Sequence, residues 1–370
     1  MRPPISVHAS ELGAELEHAP ALLPDLPAVF LLWAASGTPY LAKTSLLRRR
    51  LKRLLSHSDR LSRVLRLGGV VERIDYWRVG SQLEATLIHL ELAQRHFPDE
   101  WQKITRLRLP AMLRLTVDNP FPRTMVTTRL GRGLFHGPFP SRAAAERFQN
   151  EVLDLFQVRR CEENLEPTPQ HPGCIYGEMN KCSRPCQAAV SVDEYAHEAA
   201  RLQQFLRTGG TSLLEPAEAA RDRASAEMQF EEAERLHQRI ARIKEVASAA
   251  GELGRTLDQL AGVAVVHSVA DTAVDLWFMT GGRWLPPRRL LLADTVDGGQ
   301  SMDRRVRELA ADLPPAGAPN LEHLSILMRW QCSSWRDGEW ISFDAPDRIP
   351  YRKIVNAIAR VMANKDGPSA

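Results

Sequence analysis

Apolar residues run along this chain with two different periods. AVFLLWA (28–34) and TPYLA (38–42) are short, nearly continuous apolar runs on either side of Ser36-Gly37, which predicts two strands joined by a turn. From about Ser45 the period changes. Leu46, Leu47, Leu51, Leu54 and Leu55 recur at steps of three and four, the signature of one helix face. VVERIDYW (70–77) predicts another strand and Ser81 to His96 another helix, so residues 25–102 read as a small α/β unit. Residues 103–190 are mixed and end in a cysteine-rich loop, and residues 191–248 read as almost wholly helical. Strand-like runs return at GVAVVHSV (262–269), AVDLWFM (273–279) and GGRWL (281–285), followed by helices. Residues 1–24, acidic and broken by prolines, read as a lead-in. The Gly/Pro-rich stretches near 297–300 and 313–319 read as loops or linkers.

Within the helical stretch, Ser212-Leu213-Leu214-Glu215 has the spacing of a capping box. After a break near Gln229, Phe230, Ala233, Leu236, Ile240 and Ile243 form a narrow apolar seam with steps of three and four. Two short antiparallel helices with such a seam make a hairpin that can pack on a similar hairpin of a partner. Packing within the chain would leave the same pattern.

Composition adds limits. The chain has 370 residues, 44% of them apolar, which is too long for one ordinary core and predicts two to four domains. The expected class is α+β and multi-domain. The net charge of +3 says little, but its distribution does. Nine Lys/Arg lie between Lys43 and Arg66 (Lys43, Arg48, Arg49, Arg50, Lys52, Arg53, Arg60, Arg63, Arg66) against one acid, Asp59. A helix with leucines on one face and these cations on the other suits phosphate contacts, although a merely solvated cationic face reads the same. No apolar run reaches the ~18 residues needed to span a bilayer. The N-terminus also lacks the basic-then-apolar order of a secretory signal. A cytoplasmic protein with no membrane partner is expected.

The cysteines carry the sharpest chemistry. Cys161, Cys174, Cys182 and Cys186 give C-x12-C-x7-C-x3-C. Four thiolates can close a tetrahedral zinc site or hold one iron–sulfur cluster. Structural zinc favours tight pairs such as C-x2-C, and the wide gaps here fit that poorly, whereas a cluster accepts ligands that approach from farther apart. Four unrelated reduced cysteines are the bland alternative. Pro172-Gly173 and Pro185 stiffen the approaches, and Arg159, Arg160, Lys181 and Arg184 are placed to offset thiolate charge. Cys332, near Trp330 and Trp335, reads as a core residue. Trp330, Trp335 and Trp340 read as core, with a base-stacking surface as the alternative.

These segments together resemble the UvrC family of excinuclease subunits. LPAVFLLWAASGTPYLAKTSLLRRRLKRLL (26–55) resembles its GIY-YIG domain, and FPRTMVTTR…FHGPFPS (121–141) its middle segment. RRCEENLEPTPQHPGCIYGEMNKCSRPC (159–186) resembles its four-cysteine region, which implies a 4Fe–4S cluster, with zinc as the alternative. MQFEEAERLHQRIARI (228–243) resembles the UVR motif, which implies a UvrB-like partner. GVAVVHSVADTAVDLWFMTGGRWL (262–285) resembles the start of the family's second half. The domains implied are a GIY-YIG-like unit (20–102), a middle and Cys-rich, mainly helical unit (103–208), a UVR-like hairpin (209–250) and a C-terminal α/β unit (255–365). An RNase H-like nuclease or helix-hairpin-helix pair is not expected within this length.

The resemblance implies chemistry that the residues only partly keep. A GIY-YIG site uses a tyrosine to activate water, a basic pair on the phosphate and a glutamate on one divalent metal. Lys43 and Arg50 keep the basic pair. The first motif reads Ala28-Val29-Phe30, so a hydroxyl is lost, and the second reads Tyr40-Leu41-Ala42. His89 stands where the glutamate belongs, and neutral imidazole is a poor ligand for Mg²⁺. Leu54 and Trp101 replace an aromatic and an asparagine, while Glu84 and Glu91 point elsewhere around the helix by its pitch. The expectation is a repair protein that binds DNA through Lys43, Arg48, Arg49, Arg50, Lys52 and Arg53 beside a disabled nuclease. Tyr40 is a candidate surrogate base. The rivals are an active single-incision endonuclease using Mg²⁺, which would need a carboxylate folded next to Lys43 and Arg50, and a zinc-stapled nucleic-acid-binding module.

Overall fold

The computed structural model describes residues 3–8, 23–55, 70–117, 119–292 and 300–364. The basic stretch beyond Leu55, with Asp59, Arg60, Arg63 and Arg66, and the glycines near 297–299 lie outside the described residues. Among the described residues no helix is long and apolar enough to cross a membrane.

The first unit comprises β1 (Ile5–His8), β2 (Ala28–Ala34), β3 (Tyr40–Thr44), α1 (Leu47–Leu55), β4 (Val71–Arg78), α2 (Gln82–His96) and α3 (Trp101–Thr105). Its antiparallel sheet has the order β1-β4-β2-β3. β2 reads as one apolar run because both its faces are covered. Ala28, Phe30 and Leu32 pack toward α1, and Val29 and Leu31 toward α2. The segment expected to be a lead-in supplies β1, which extends the sheet by pairing Ile5 with Tyr76.

The second unit comprises β5 (Ala111–Leu115), β6 (Thr124–Thr127), β7 (Leu134–Phe139), α4 (Arg142–Leu153), the short α5 (Ile175–Glu178), α6 (Val192–Thr208), α7 (Thr211–Ala226), α8 (Phe230–Ala249) and β8 (Arg255–Thr256). The middle unit, expected to be mainly helical, also contains a sheet. The helices cover an antiparallel sheet of order β6-β5-β7-β8, and its last strand arrives after the hairpin, pairing Thr256 with His136. One core joins Leu113, Phe139, Phe148, Tyr195, Leu202 and Phe205 to Ile240, Ile243 and Val246 of α8. The capping box expected at Ser212 does not form. Gly209 and Gly210 hold left-handed conformations (φ 59° and 97°) and turn the chain directly into α7, so Ser212 lies inside the helix. The reciprocal box sits instead at Ser191 and Glu194, at the start of α6.

The third unit comprises β9 (Ala261–His267), β10 (Ala273–Thr280), β11 (Arg283–Trp284), β12 (Arg288–Leu291), α9 (Met302–Ala310), α10 (Leu321–Gln331), β13 (Gly338–Phe343) and α11 (Tyr351–Ala363). Its sheet runs β11-β10-β9-β13, with β12 also on β10. Val263, Val265, Leu276 and Phe278 face α9 and α11, whereas Ala264, Val266, Trp277 and Met279 face α10 and α2. Trp330 and Trp340 are core, but Trp335 is 43% exposed. Cys332, expected in the core, is exposed at the end of α10.

α2 joins the first and third units. Ala85, Ile88, Leu92 and Ala93 pack on the first sheet, and Leu83, Leu87 and Leu90 on the third. A helix covered on both sides loses the one-sided pattern of a surface helix. Its start is fixed by Ser81, whose Oγ accepts the Glu84 amide at 3.1 Å, while the Glu84 carboxylate accepts the Gly80 amide at 2.8 Å. Gly80 is so close to the third unit that a Cβ there would overlap the Ser268 backbone.

Candidate functional site

The candidate catalytic residues divide between the two faces of the first sheet. Side chains alternate along a strand, so Tyr40 and Lys43, three apart on β3, point to opposite sides. Tyr40 lies on the α1 side, tilted against Phe30 with centroids 6.3 Å apart, and its hydroxyl accepts a long hydrogen bond from Arg50 Nη2 at 3.4 Å. Phe30 is wholly buried there. Lys43 lies on the α2 side, where Nζ donates to Thr86 Oγ1 at 3.0 Å. His89, one turn further along α2, lines the same pocket of about 310 Å³. Burial, and then the Lys43 charge, push the His89 imidazole down to about 4, so it is neutral near pH 7. The five residues expected to form the catalytic centre, Phe30, Tyr40, Lys43, Arg50 and His89, are therefore not gathered at one point.

The acids do not restore a metal site beside Lys43. Among the described residues no carboxylate lines its pocket. Glu84 caps its own helix and Glu91 pairs with Arg95 at 3.2 Å. The side chains that do line the pocket include Arg106, at the left-handed end of α3, and Arg329 on α10. Neither residue had a signal in the sequence, because three separate elements bring them beside Lys43.

α1 shows the two-faced character its spacing predicts. Leu47, Leu51, Leu54 and Leu55 are buried, while Arg48, Arg49, Lys52 and Arg53 are exposed. Arg48 Nε also donates to the Leu23 carbonyl at 2.9 Å, which anchors it part way along its length.

A larger cleft of about 600 Å³ lies between α2 and the third sheet, lined by Glu84, Trp277, Trp284 and His323 among others. Asp275, on its wall, is buried and accepts two hydrogen bonds from Arg289 at 2.8 and 3.0 Å. Nothing in the sequence marks this cleft, since its walls come from both ends of the chain.

The four-cysteine loop is sewn onto the middle unit by two buried residues. The Arg159 guanidinium donates to the Phe121 and Glu163 carbonyls at 2.9 and 2.8 Å and approaches Cys161 Sγ at 3.6 Å. Tyr195 Oη accepts the Arg159 amide at 3.0 Å and donates to the Pro122 carbonyl at 2.7 Å. Cys174 caps α5, Cys182 is buried and accepts the Arg184 amide at 3.4 Å, and Cys186 follows Pro185 in a tight turn. Burial, and then the proximity of Cys161, Cys174 and Cys186, push the Cys182 thiol up to about 11, so the four sulfurs influence one another. Among the described residues, however, no three His, Cys, Asp or Glu side chains stand close enough together to grip a single metal ion. Only part of the expected basic shell serves the thiols. Arg160 and Lys181 turn instead to Asp154, at 2.7 and 2.9 Å.

The helical hairpin spends most of its seam internally. Leu236, Ile240 and Ile243 are buried, and Ile240 and Ile243 belong to the middle core. Ala233 is half-buried. Phe230 is 69% exposed at the tip beside Met228, a residue outside the seam, at 73%.

A sheet-based unit carrying a four-cysteine loop and closed by a helical hairpin defines the class. Residues 111–205 match the model of the UvrC/Cho excinuclease middle domain, and residues 211–246 match that of the UvrB/uvrC motif. Over these segments the chain resembles the UvrC-like excinuclease subunits of nucleotide excision repair. It is 24% identical to UvrABC system protein C of Symbiobacterium thermophilum over 93% of this chain and 56% of that protein. It is 23% identical to the Dehalococcoides mccartyi protein of that name over 93% and 58%, and 26% identical to that of Brucella suis over 71% and 43%. The chain spans a little over half the length of the first two relatives. No solved structure gives a significant match.

Proposed function

We propose that this protein binds DNA and a UvrB-like partner in nucleotide excision repair, with a GIY-YIG-like unit that holds DNA without cutting it. The observation that carries the reading is the separation of Lys43 and His89 from Tyr40 and Arg50 by the thickness of a sheet, with no carboxylate among the described residues in the Lys43 pocket. Hydrolysis of a phosphodiester needs an activated water and charge stabilisation at one phosphorus atom. Groups on opposite faces cannot supply both to the same atom. The DNA surface is the exposed cationic face of α1, and the partner surface is the hairpin tip at Met228 and Phe230.

One feature supports a resident cluster in the cysteine loop: the donor set is four thiols that influence one another. Cys161, Cys174, Cys182 and Cys186 would hold a 4Fe–4S group, which would staple the loop to the middle unit. An anaerobically prepared protein is then brown and contains iron. Colourless protein with stoichiometric zinc supports the zinc-stapled reading instead.

The nuclease test is a nicking assay on supercoiled and lesion-bearing DNA with Mg²⁺ or Mn²⁺, with and without a UvrB-like protein. No nicking is expected, while DNA binding is retained and weakens with salt. Exchange of Lys52 and Arg53 for Gln is expected to lower the salt slope by about two. Specific nicking that disappears in Arg50→Ala would establish the active-endonuclease reading.

A further inference from the structure

The cleft of about 600 Å³ opens where α2 meets the sheet of the third unit. Small-molecule sites are usually of roughly 300–1,000 Å³ and join apolar walls to a few directed polar groups. This cleft has both. Leu87 and Ile88 come from α2, Trp277 from β10, Trp284 from β11, and Pro286 and Pro287 from the turn that follows. Trp277 and Trp284 are 7% and 5% exposed, and the ring N–H of each is shut off from water without an acceptor among the described residues. Buried donors of this kind are uncommon and each one costs stability. His323 adds a third donor. Its Nδ1 accepts the Trp284 backbone N–H at 2.9 Å, while burial, and then the Arg283 charge, keep the ring neutral near pH 7. A neutral ring whose Nδ1 accepts carries its proton on Nε2. That N–H has no partner among the described residues.

The acids set the sign of the cleft. Glu84, Glu91 and Asp275 line it against one cation, Arg289. Asp275, and more weakly Glu84, already hold the Arg289 charge. Glu91 lies toward solvent, its side chain 45% exposed, and pairs with Arg95 through one oxygen at 3.2 Å. An anion in the cleft would meet more acid than base. A flat ring with an amino group would instead meet apolar faces, a carboxylate for its amino hydrogens and N–H donors for its own acceptors.

We propose that this cleft binds a planar aromatic base carrying an amino group, of the chemical class of adenine or cytosine, between α2 and the third sheet. The ring lies against Leu87 and Trp277, Glu91 accepts from the amino group, and His323 Nε2 donates to a ring nitrogen or carbonyl. Any phosphate attached to such a base stays outside the mouth. The inference does not rest on the DNA reading, since a free nucleoside would occupy the cleft.

The test is thermal unfolding and calorimetric titration of the full chain with adenosine, with inosine, which has a carbonyl in place of the amino group, and with ribose 5-phosphate, which has no base. Adenosine is expected to raise the Tm and to bind more tightly than inosine, and ribose 5-phosphate to do neither. Leu87→Phe, which takes up space in the cleft, is expected to weaken adenosine about tenfold. Glu91→Gln, at a partly exposed position that does not carry the fold, is expected to weaken adenosine about three- to tenfold, the worth of one hydrogen bond, and to spare inosine. Arg304→Gln, on an exposed helix elsewhere, should keep the full response. Absence of an adenosine response in the native protein would overturn the proposal. So would equal binding of adenosine and inosine, a response to ribose 5-phosphate, or full adenosine binding in both cleft variants. A short adenine-containing single strand added to the adenosine-loaded protein identifies the source. Competition assigns the site to a base within a strand, and no competition assigns it to a free nucleoside. Equal competition by the same strand with abasic sites would overturn the assignment of the cleft to a base.

Discussion

His136 lies face to face with Phe148, ring centroids 5.1 Å apart and nearly parallel, in the middle of the second sheet. It is buried, and neither ring nitrogen makes a well-formed hydrogen bond, although the Leu206 backbone is close. Burial pushes its imidazole down to about 4, and the Leu206 backbone offsets part of that shift. In the unfolded chain the same ring titrates near 6.5, so between about 4 and 6.5 the unfolded state holds more protons. Stability from this residue is therefore complete above about pH 6.5 and falls as the pH drops toward 4. His89 and His323, also held near 4 chiefly by burial, act in the same window. His136→Phe keeps the stacking and removes two orphan polar atoms. It is expected to raise stability by about 1–3 kcal/mol at neutral pH and to flatten the acid slope. Urea midpoints measured across that window check this, and an unchanged slope would show that His136 does not titrate on unfolding.

At the scale of elements, the legible parts of the sequence are those in which one segment carries its own signal. The apolar run of β2 and the leucine spacing of α1 correspond to Ala28–Ala34 and Leu47–Leu55. β1 escapes such a reading because ISVH is too short to show a period and is stabilised only by pairing with β4. The middle sheet escapes it for a similar reason. Its strands β5 to β7 are four to six residues long, and Gly137 and Pro138 interrupt the third. Ser212 has a box-like spacing, but Gly210 before it already provides the turn. The cysteine set is legible as a local cluster, whereas Arg106 and Arg329 join Lys43 only through the packing of α2 and α10. Gly80 marks that packing. Its lack of a Cβ lets the start of α2 lie against Ser268. Gly80→Ala is expected to cost about 1–3 kcal/mol through overpacking. The readouts are chemical denaturation and faster proteolysis between the first and third units. A neutral effect would mean that the two units can separate freely.

For the whole molecule, the hairpin belongs to the middle core rather than standing beside it. Ile243 is 1% exposed among residues from α4 and α6, so Ile243→Ala should cost about 2–5 kcal/mol. The loss should appear in the unfolding of the hairpin and the middle unit together, as one transition by calorimetry and circular dichroism. Two separate transitions would show the hairpin to be an independent module. Phe230 at the tip contributes little to that core, so its replacement should spare stability.

The return of the chain through β8 shapes how load enters this protein. The chain enters the hairpin of α7 and α8 from α6 and leaves it into β8, which pairs with β7, so both feet of the hairpin are anchored in the middle unit. A binding protein that tugs on Phe230 pulls on a closed stirrup rather than on a loose strap. The force divides between α6 on one side and the β7–β8 ladder on the other, and it reaches the cysteine loop through Tyr195, which sits on α6 and holds Arg159.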